Sequence, residues 1–103
     1  MIARYWSART SREKAANYAE HLDNAVFAEL RKLDGFGNAM LLQREIDDGV
    51  EVVVITFWES LESIRSFAGE PLDRAVVADP ARALLDDFDR QVRHYEVVRT
   101  FAG

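Results

Sequence analysis

The stretch Val52-Val53-Val54-Ile55-Thr56-Phe57-Trp58 carries no charge on either of the two faces that a strand presents. Side chains alternate sides along a strand, so a sheet wetted on one side reads polar, apolar, polar. Here the apolar character is continuous, and both faces need cover. Just upstream, Asp47-Asp48-Gly49 is a short turn-former with Ala39 to Ile46 before it. Residues 39–46 and 50–58 therefore read as an antiparallel hairpin.

Working outward, Ile2 to Arg9 alternates and holds the bulky Ile2, Tyr5 and Trp6, the pattern of a first strand. Thr10 and Glu13 have capping-box spacing, which predicts a helix from near Ser11. Ala15, Tyr18, Ala19, Leu22, Ala25, Val26, Leu30 and Leu33 follow at steps of mainly three and four, one buried stripe over about six turns. Asp34-Gly35-Phe36-Gly37 stops it. Beyond the hairpin, Ser60 is a candidate N-cap for a helix through Leu61, Ile64, Phe67 and Ala68, closed by Gly69. A second short helix is expected over Pro71 to Val77. Asp79-Pro80 then restarts a turn that runs over Ala81 to Leu85, with aspartate as cap. Phe88 to Phe101 alternates as a last strand, with Val92, His94 and Glu96 sharing one face.

The resulting order, β-α-β-β-α-(short α)-β, defines an α+β fold, and the ferredoxin-like βαββαβ layout with a four-stranded antiparallel sheet satisfies it. Its helices cover one face of the sheet. The economical cover for the other is a second copy of the chain, packed sheet to sheet as a two-fold homodimer. Burying an apolar patch of roughly 600 Å² is worth on the order of 15 kcal/mol before association costs, whereas leaving it wet invites aggregation.

The 103 residues are one domain's worth, and 49% apolar with 30% charged is the balance of a folded chain. Eighteen acidic against 13 basic residues, a net charge of −5, argue against nucleic acid as a partner. The absence of cysteine removes thiolate chemistry and cysteine-based metal sites, and fits the cytoplasm. No apolar run approaches the roughly 20 residues of a membrane span, so no membrane partner is expected.

The words Ile2-Ala3-Arg4-x-Trp6-x-x-Arg9-Thr10, Phe57-Trp58-Glu59-Ser60-Leu61-Glu62-Ser63-Ile64-Arg65-Ser66-Phe67-Ala68-Gly69-Glu70 and His94-Tyr95-Glu96-Val97, with the element order, resemble the antibiotic biosynthesis monooxygenase-like family of dimeric α/β barrels. The resemblance extends over nearly the whole chain, so residues 1–103 are expected to form one such domain. It implies protomers paired through their sheets, with a pocket between each sheet and its helices. It also implies oxidation of a small aromatic or quinone-type substrate by molecular oxygen, with no cofactor: neither bound metal nor flavin. The haem-degrading branch of the superfamily places an asparagine on the first strand, a tryptophan after the third and a histidine about ten residues later. The matching positions here are Ser7, Phe67 and Val77, which speaks against haem breakdown by that route. Close relatives that resemble this chain often carry histidine where Ser7 stands.

Within that frame His94 is the candidate catalytic base. An imidazole titrating near neutrality can take a proton from a phenol or anthrone and leave an electron-rich anion for oxygen to attack. Glu96, on its face, is placed to orient it. Trp6, Trp58 and Phe67 are the candidate substrate-binding walls, because they stand at element ends where an aromatic ligand can be enclosed. The competing readings are a His94 bonded across the dimer and aromatics that simply fill the core. They belong to a different class of protein, a non-catalytic homodimer that binds a small ligand or serves as an interaction module.

Overall fold

The computed structural model describes residues 1–103 throughout. It runs β1 (Ile2–Thr10), α1 (Arg12–His21), a π-helical turn (Leu22–Val26), α2 (Phe27–Leu30), β2 (Phe36–Ile46), β3 (Gly49–Trp58), α3 (Leu61–Ala68), α4 (Asp79–Arg82), β4 (Asp87–Phe88) and β5 (Arg93–Glu96). The sheet order is β2-β3-β1-β4, every pairing is antiparallel, and β5 also lies on β1. The last position of the ferredoxin-like sheet is thus filled by two short pieces in place of one long strand.

That break, and the missing helix over Pro71 to Val77, have one cause. The segment expected to be helical donates its Ala75 amide to the Arg90 carbonyl, accepts from Val92 N at Asp73 O, and bridges Gln91 through Arg74. Residues 73–75 and 90–92 pair with each other, which draws the chain away from β1 between β4 and β5. The strand also ends early. Its last ladder pair is Ile2 with Glu96, and beyond it Val97 N reaches Met1 O.

Ser11, not Thr10, caps the first helix: its hydroxyl oxygen accepts from Lys14 N at 3.2 Å. Thr10 faces the helices from β1, and its buried hydroxyl is held by the Leu84 carbonyl at 2.6 Å. The helical run is continuous through Leu30 with a π turn inside, where Phe27 N reaches back to Leu22 O. Ala15, Tyr18, Leu22 and Leu30 are its buried stripe, while Leu33 lies past the helix end and is exposed. Ser60 caps α3 as expected, with its oxygen accepting from Ser63 N. In α4 the cap is Ala78, and Asp79 is already the first helical residue.

The register sorts the sheet into two faces. Arg4, Trp6 and Ala8 pair with Thr56, Val54 and Val52, and these point at the helices; Val52 and Trp58 are fully buried there. Tyr5, Val53, Ile55 and Phe57 point the other way, joined by Met40, Leu42 and Tyr95, which remain 42%, 45% and 50% exposed. No helix lies on that side. The doubly apolar stretch therefore has one face in the core and one face uncovered within the protomer.

Candidate functional site

Between the sheet and its helices lies an apolar cavity of about 170 Å³. Its floor is the helix-side row of the central strands, with Arg4, Trp6, Val54 and Thr56; Tyr18, His21 and Leu22 begin the helical wall. The π turn extends that wall. Leu22 and Val26 within it, and Phe27 and Leu30 just after it, line the cavity. Val76 to Ala78, Ala81 and Phe67 also line it.

The expected site residues fall into three groups. Trp6 and Phe67 line the cavity. Trp6 is held by its indole N–H, which donates to Asp89 O at 2.6 Å. Trp58 does not reach the cavity. Wholly buried, it donates to Thr56 Oγ1 at 2.8 Å, stacks on Phe67 at 5.4 Å between ring centroids and meets Phe36 edge-on at 5.3 Å. It supports the wall from behind, since the residue that closes β3 sits under α3.

His94 also stands one layer back. It is directly opposite Arg4 in the β1–β5 register, and its Nε2 lies 2.9 Å from an Arg4 terminal nitrogen. A guanidinium only donates, so Nε2 accepts and the ring is neutral with its proton on Nδ1. Burial and the neighbouring Arg4 charge hold His94 below the ordinary histidine value, partly offset by Asp73. An imidazole whose lone pair is already engaged is not a free base for a ligand, and the partner that orients it is Arg4, not Glu96. His94, expected as the catalytic base, thus has its lone pair engaged by Arg4 and stands outside the cavity lining.

Arg4 is the group that sequence reasoning passed over. Only 5% exposed, its guanidinium donates to Leu72 O and Arg74 O, each at 2.9 Å, as well as to His94, and lies 5.8 Å from the Phe67 ring centroid. Burial pulls its pKa down to about 10, against a rise from Asp73, so it stays charged at neutral pH. The signal was present: with a period of two, Ile2, Arg4, Trp6 and Ala8 share a face, and a cation among core residues marks a site. His21 was passed over in the same way; it follows Tyr18 by three residues and so shares its side of α1. Ser7, expected to match the asparagine of the haem degraders, points to the helix-free face beside Val53, whereas Phe67 and Val77 do line the cavity. No three histidine or carboxylate side chains converge as a metal cage needs.

The sequence profile described as antibiotic biosynthesis monooxygenase matches residues 1–79. The chain belongs to this family. No curated protein matches it. Among solved structures, it is similar to a putative antibiotic biosynthesis monooxygenase from Bacillus cereus at 19% identity and a TM-score of 0.69, covering 99% of this chain and 95% of that one. It is also similar to a single-residue mutant of SnoaB, a cofactor-independent oxygenase from Streptomyces nogalater, at 20% identity and TM-score 0.67, covering 99% and 98%. A third is the heme degrader MhuD from Mycobacterium tuberculosis with two hemes bound in its active site, at 20% identity and TM-score 0.63, covering 99% and 100%. At such identities the likeness is one of fold.

Proposed function

We propose that this family member is a monooxygenase-like enzyme that oxidises a small aromatic or quinone-type molecule with molecular oxygen in the cavity, without a bound metal or flavin. The observation that carries this reading is an apolar, aromatic-walled chamber with a buried cation, Arg4, in its lining. An apolar cavity of about 150 Å³ is enough to bind benzene, so 170 Å³ suits one substituted ring. The four-pyrrole plane of haem does not fit that volume. Phe67 and Val77 also put apolar groups where the haem-degrading branch has polar ones, so no step through haem is derived.

The chemistry follows from the residues. Arg4 stabilises negative charge on a ring oxygen, which makes the ring electron-rich, and the apolar walls keep water from competing. For a phenol, the ring C–H para to the hydroxyl and the O–H bond are replaced by a quinone carbonyl pair. One atom of O₂ enters the ring and the other leaves as water, so no external reductant is required. His94 acts through Arg4, as a positioning residue that holds the guanidinium against the floor. Trp6 and Phe67 are the binding walls, and Trp58 braces Phe67.

The reading extends to the assembly and its setting. The uncovered sheet face supports a homodimer, one domain of the family spans residues 1–103 because β5 completes the sheet, and the reaction belongs in the cytoplasm. No helix is long and apolar enough to cross a membrane. The test is oxygen uptake with a panel of phenols and hydroquinones, combined with ¹⁸O₂ labelling. We expect one labelled oxygen in the product, and a loss of about tenfold or more in turnover for Phe67→Ala. Ligand binding without uptake for any member of the panel would overturn the enzymatic reading and leave a non-catalytic small-ligand module.

A further inference from the structure

Arg74, Arg82 and Arg90 line one open groove of about 460 Å³ beside the cavity, and none of them is in an ion pair. Carboxylates are plentiful in a chain of net charge −5, so three unpaired arginines in one groove are not a matter of composition. The acidic run around Phe88 is engaged elsewhere: Arg9 holds Asp87 and Asp89, and Lys14 holds Asp86. Asp73 is the one carboxylate in the groove lining, which leaves three positive charges against one negative. Phe88 gathers two of the cations, with the Arg82 and Arg90 guanidinium carbons 5.6 and 5.7 Å from its ring centroid. The ring attracts each cation but does not relieve their mutual repulsion. An anion beside them does.

The groove adjoins the cavity. Val77 lines both, and Trp6 of the cavity meets Phe88 of the groove at 6.2 Å between ring centroids. Val76 and Ala78 line the cavity and are nonetheless exposed, Val76 by 53%, so the cavity opens to solvent along residues 76–78. A ligand arm that leaves by this opening runs alongside the groove. We propose that the groove receives a carboxylate arm of the cavity's ligand, so that the molecule bound is an aromatic acid, its ring between sheet and helices and its charge among Arg74, Arg82 and Arg90. This rests on the reading that the cavity takes a small aromatic molecule, and it names the charged group which that molecule carries. A planar guanidinium donates two parallel hydrogen bonds to a carboxylate, whereas a neutral amide of the same shape offers one acceptor and no charge. Arg4, the cation inside the cavity, spends donors on Leu72 O, Arg74 O and His94. Those bonds fix the backbone that carries Arg74, so the inner cation positions the edge of the outer site.

The probes are phenylalkanoates with two, three and four methylene groups, each matched to its own amide, so that charge varies at nearly constant shape and reach. Calorimetric titration is expected to show a preference of about tenfold for the acid at the length that spans the opening. High salt shrinks that preference in the wild type, because the groove arginines are exposed. Arg82→Gln combined with Arg90→Gln brings the acid down to the affinity of its amide and leaves the amide unchanged, which also shows that the variant is folded. Arg31→Gln removes an exposed cation at the end of α2, outside the groove, and leaves the preference intact. Equal affinity for acid and amide at every length overturns the inference and leaves the aromatic cavity standing. So does a preference that survives in the double variant. Inorganic phosphate binding as tightly as the acids would make the groove a site for free anions and overturn its link to the cavity. Binding of neither acids nor amides removes the cavity reading and this inference together.

Discussion

A buried cation and a neutral imidazole share one hydrogen bond between Arg4 and His94, and their coupling has a measurable sign. The His94 pKa is lowered by burial and by Arg4, so the folded state resists protonating it. Stability from this residue is complete above the ordinary histidine value of 6.5 and is lost as pH falls through the lower folded value. Protonation would also turn the acceptor Nε2 into a donor facing another donor. Thermal melts below pH 6.5 should therefore show a fall in midpoint that flattens in His94→Gln, because glutamine can still accept from Arg4 but does not titrate. A variant that follows the wild-type curve would place the acid sensitivity elsewhere.

Among the elements, connections decide more than propensities. Gly35 ends the first helical layer with φ +82°, and a Cβ there would overlap Ser63 Oγ. Its carbonyl meanwhile accepts from Glu59 N at 2.7 Å, tying the helix exit to the end of β3. Gly35→Ala should cost about 1–3 kcal/mol from the left-handed backbone and the displaced side chain, read as a lower denaturant midpoint. Pairing it with Ser63→Gly, which opens the space, should recover part of that loss once the roughly 0.5–1 kcal/mol that glycine costs inside α3 is measured in the single Ser63→Gly variant and subtracted. The hairpin turn makes a similar demand. A Cβ at Gly49 would run into the Thr10 carbonyl oxygen, so glycine is required by the approach of β1. The first strand, the hairpin, the main helix and α3 were legible because each carries its own periodicity and caps. The helix expected at residues 71–77 and the long final strand were not. Their backbone groups are used by distant partners, Arg4, Arg90 and Asp73 among them, and no local pattern reports such a pairing.

For the whole molecule, the helix-free sheet face is the apolar surface that the protomer leaves without cover. Val53, Ile55 and Phe57 are half-buried at its centre, with Met40, Leu42 and Tyr95 exposed around them. Scattering should report a particle of twice the 11.7 kDa of one chain. Ile55→Lys, which places a charge at the centre of that face, should shift the population to monomer by well over tenfold in dissociation constant. A wild-type monomer at working concentration would remove the dimer from this account. The cavity lies on the opposite side of the sheet, so probe binding need not vanish with dissociation.

The sequence by itself determined the order of the main strands and helices and the doubly apolar third strand, because periodicity and side-chain type are local properties. Only the tertiary structure decided that Trp58 lies behind Phe67, that His94 spends its lone pair on Arg4, and that Arg4 is buried against the Leu72 and Arg74 carbonyls. Those facts depend on which groups meet across as many as 90 positions of chain, where burial and hydrogen-bond geometry choose among partners that the linear order leaves equivalent.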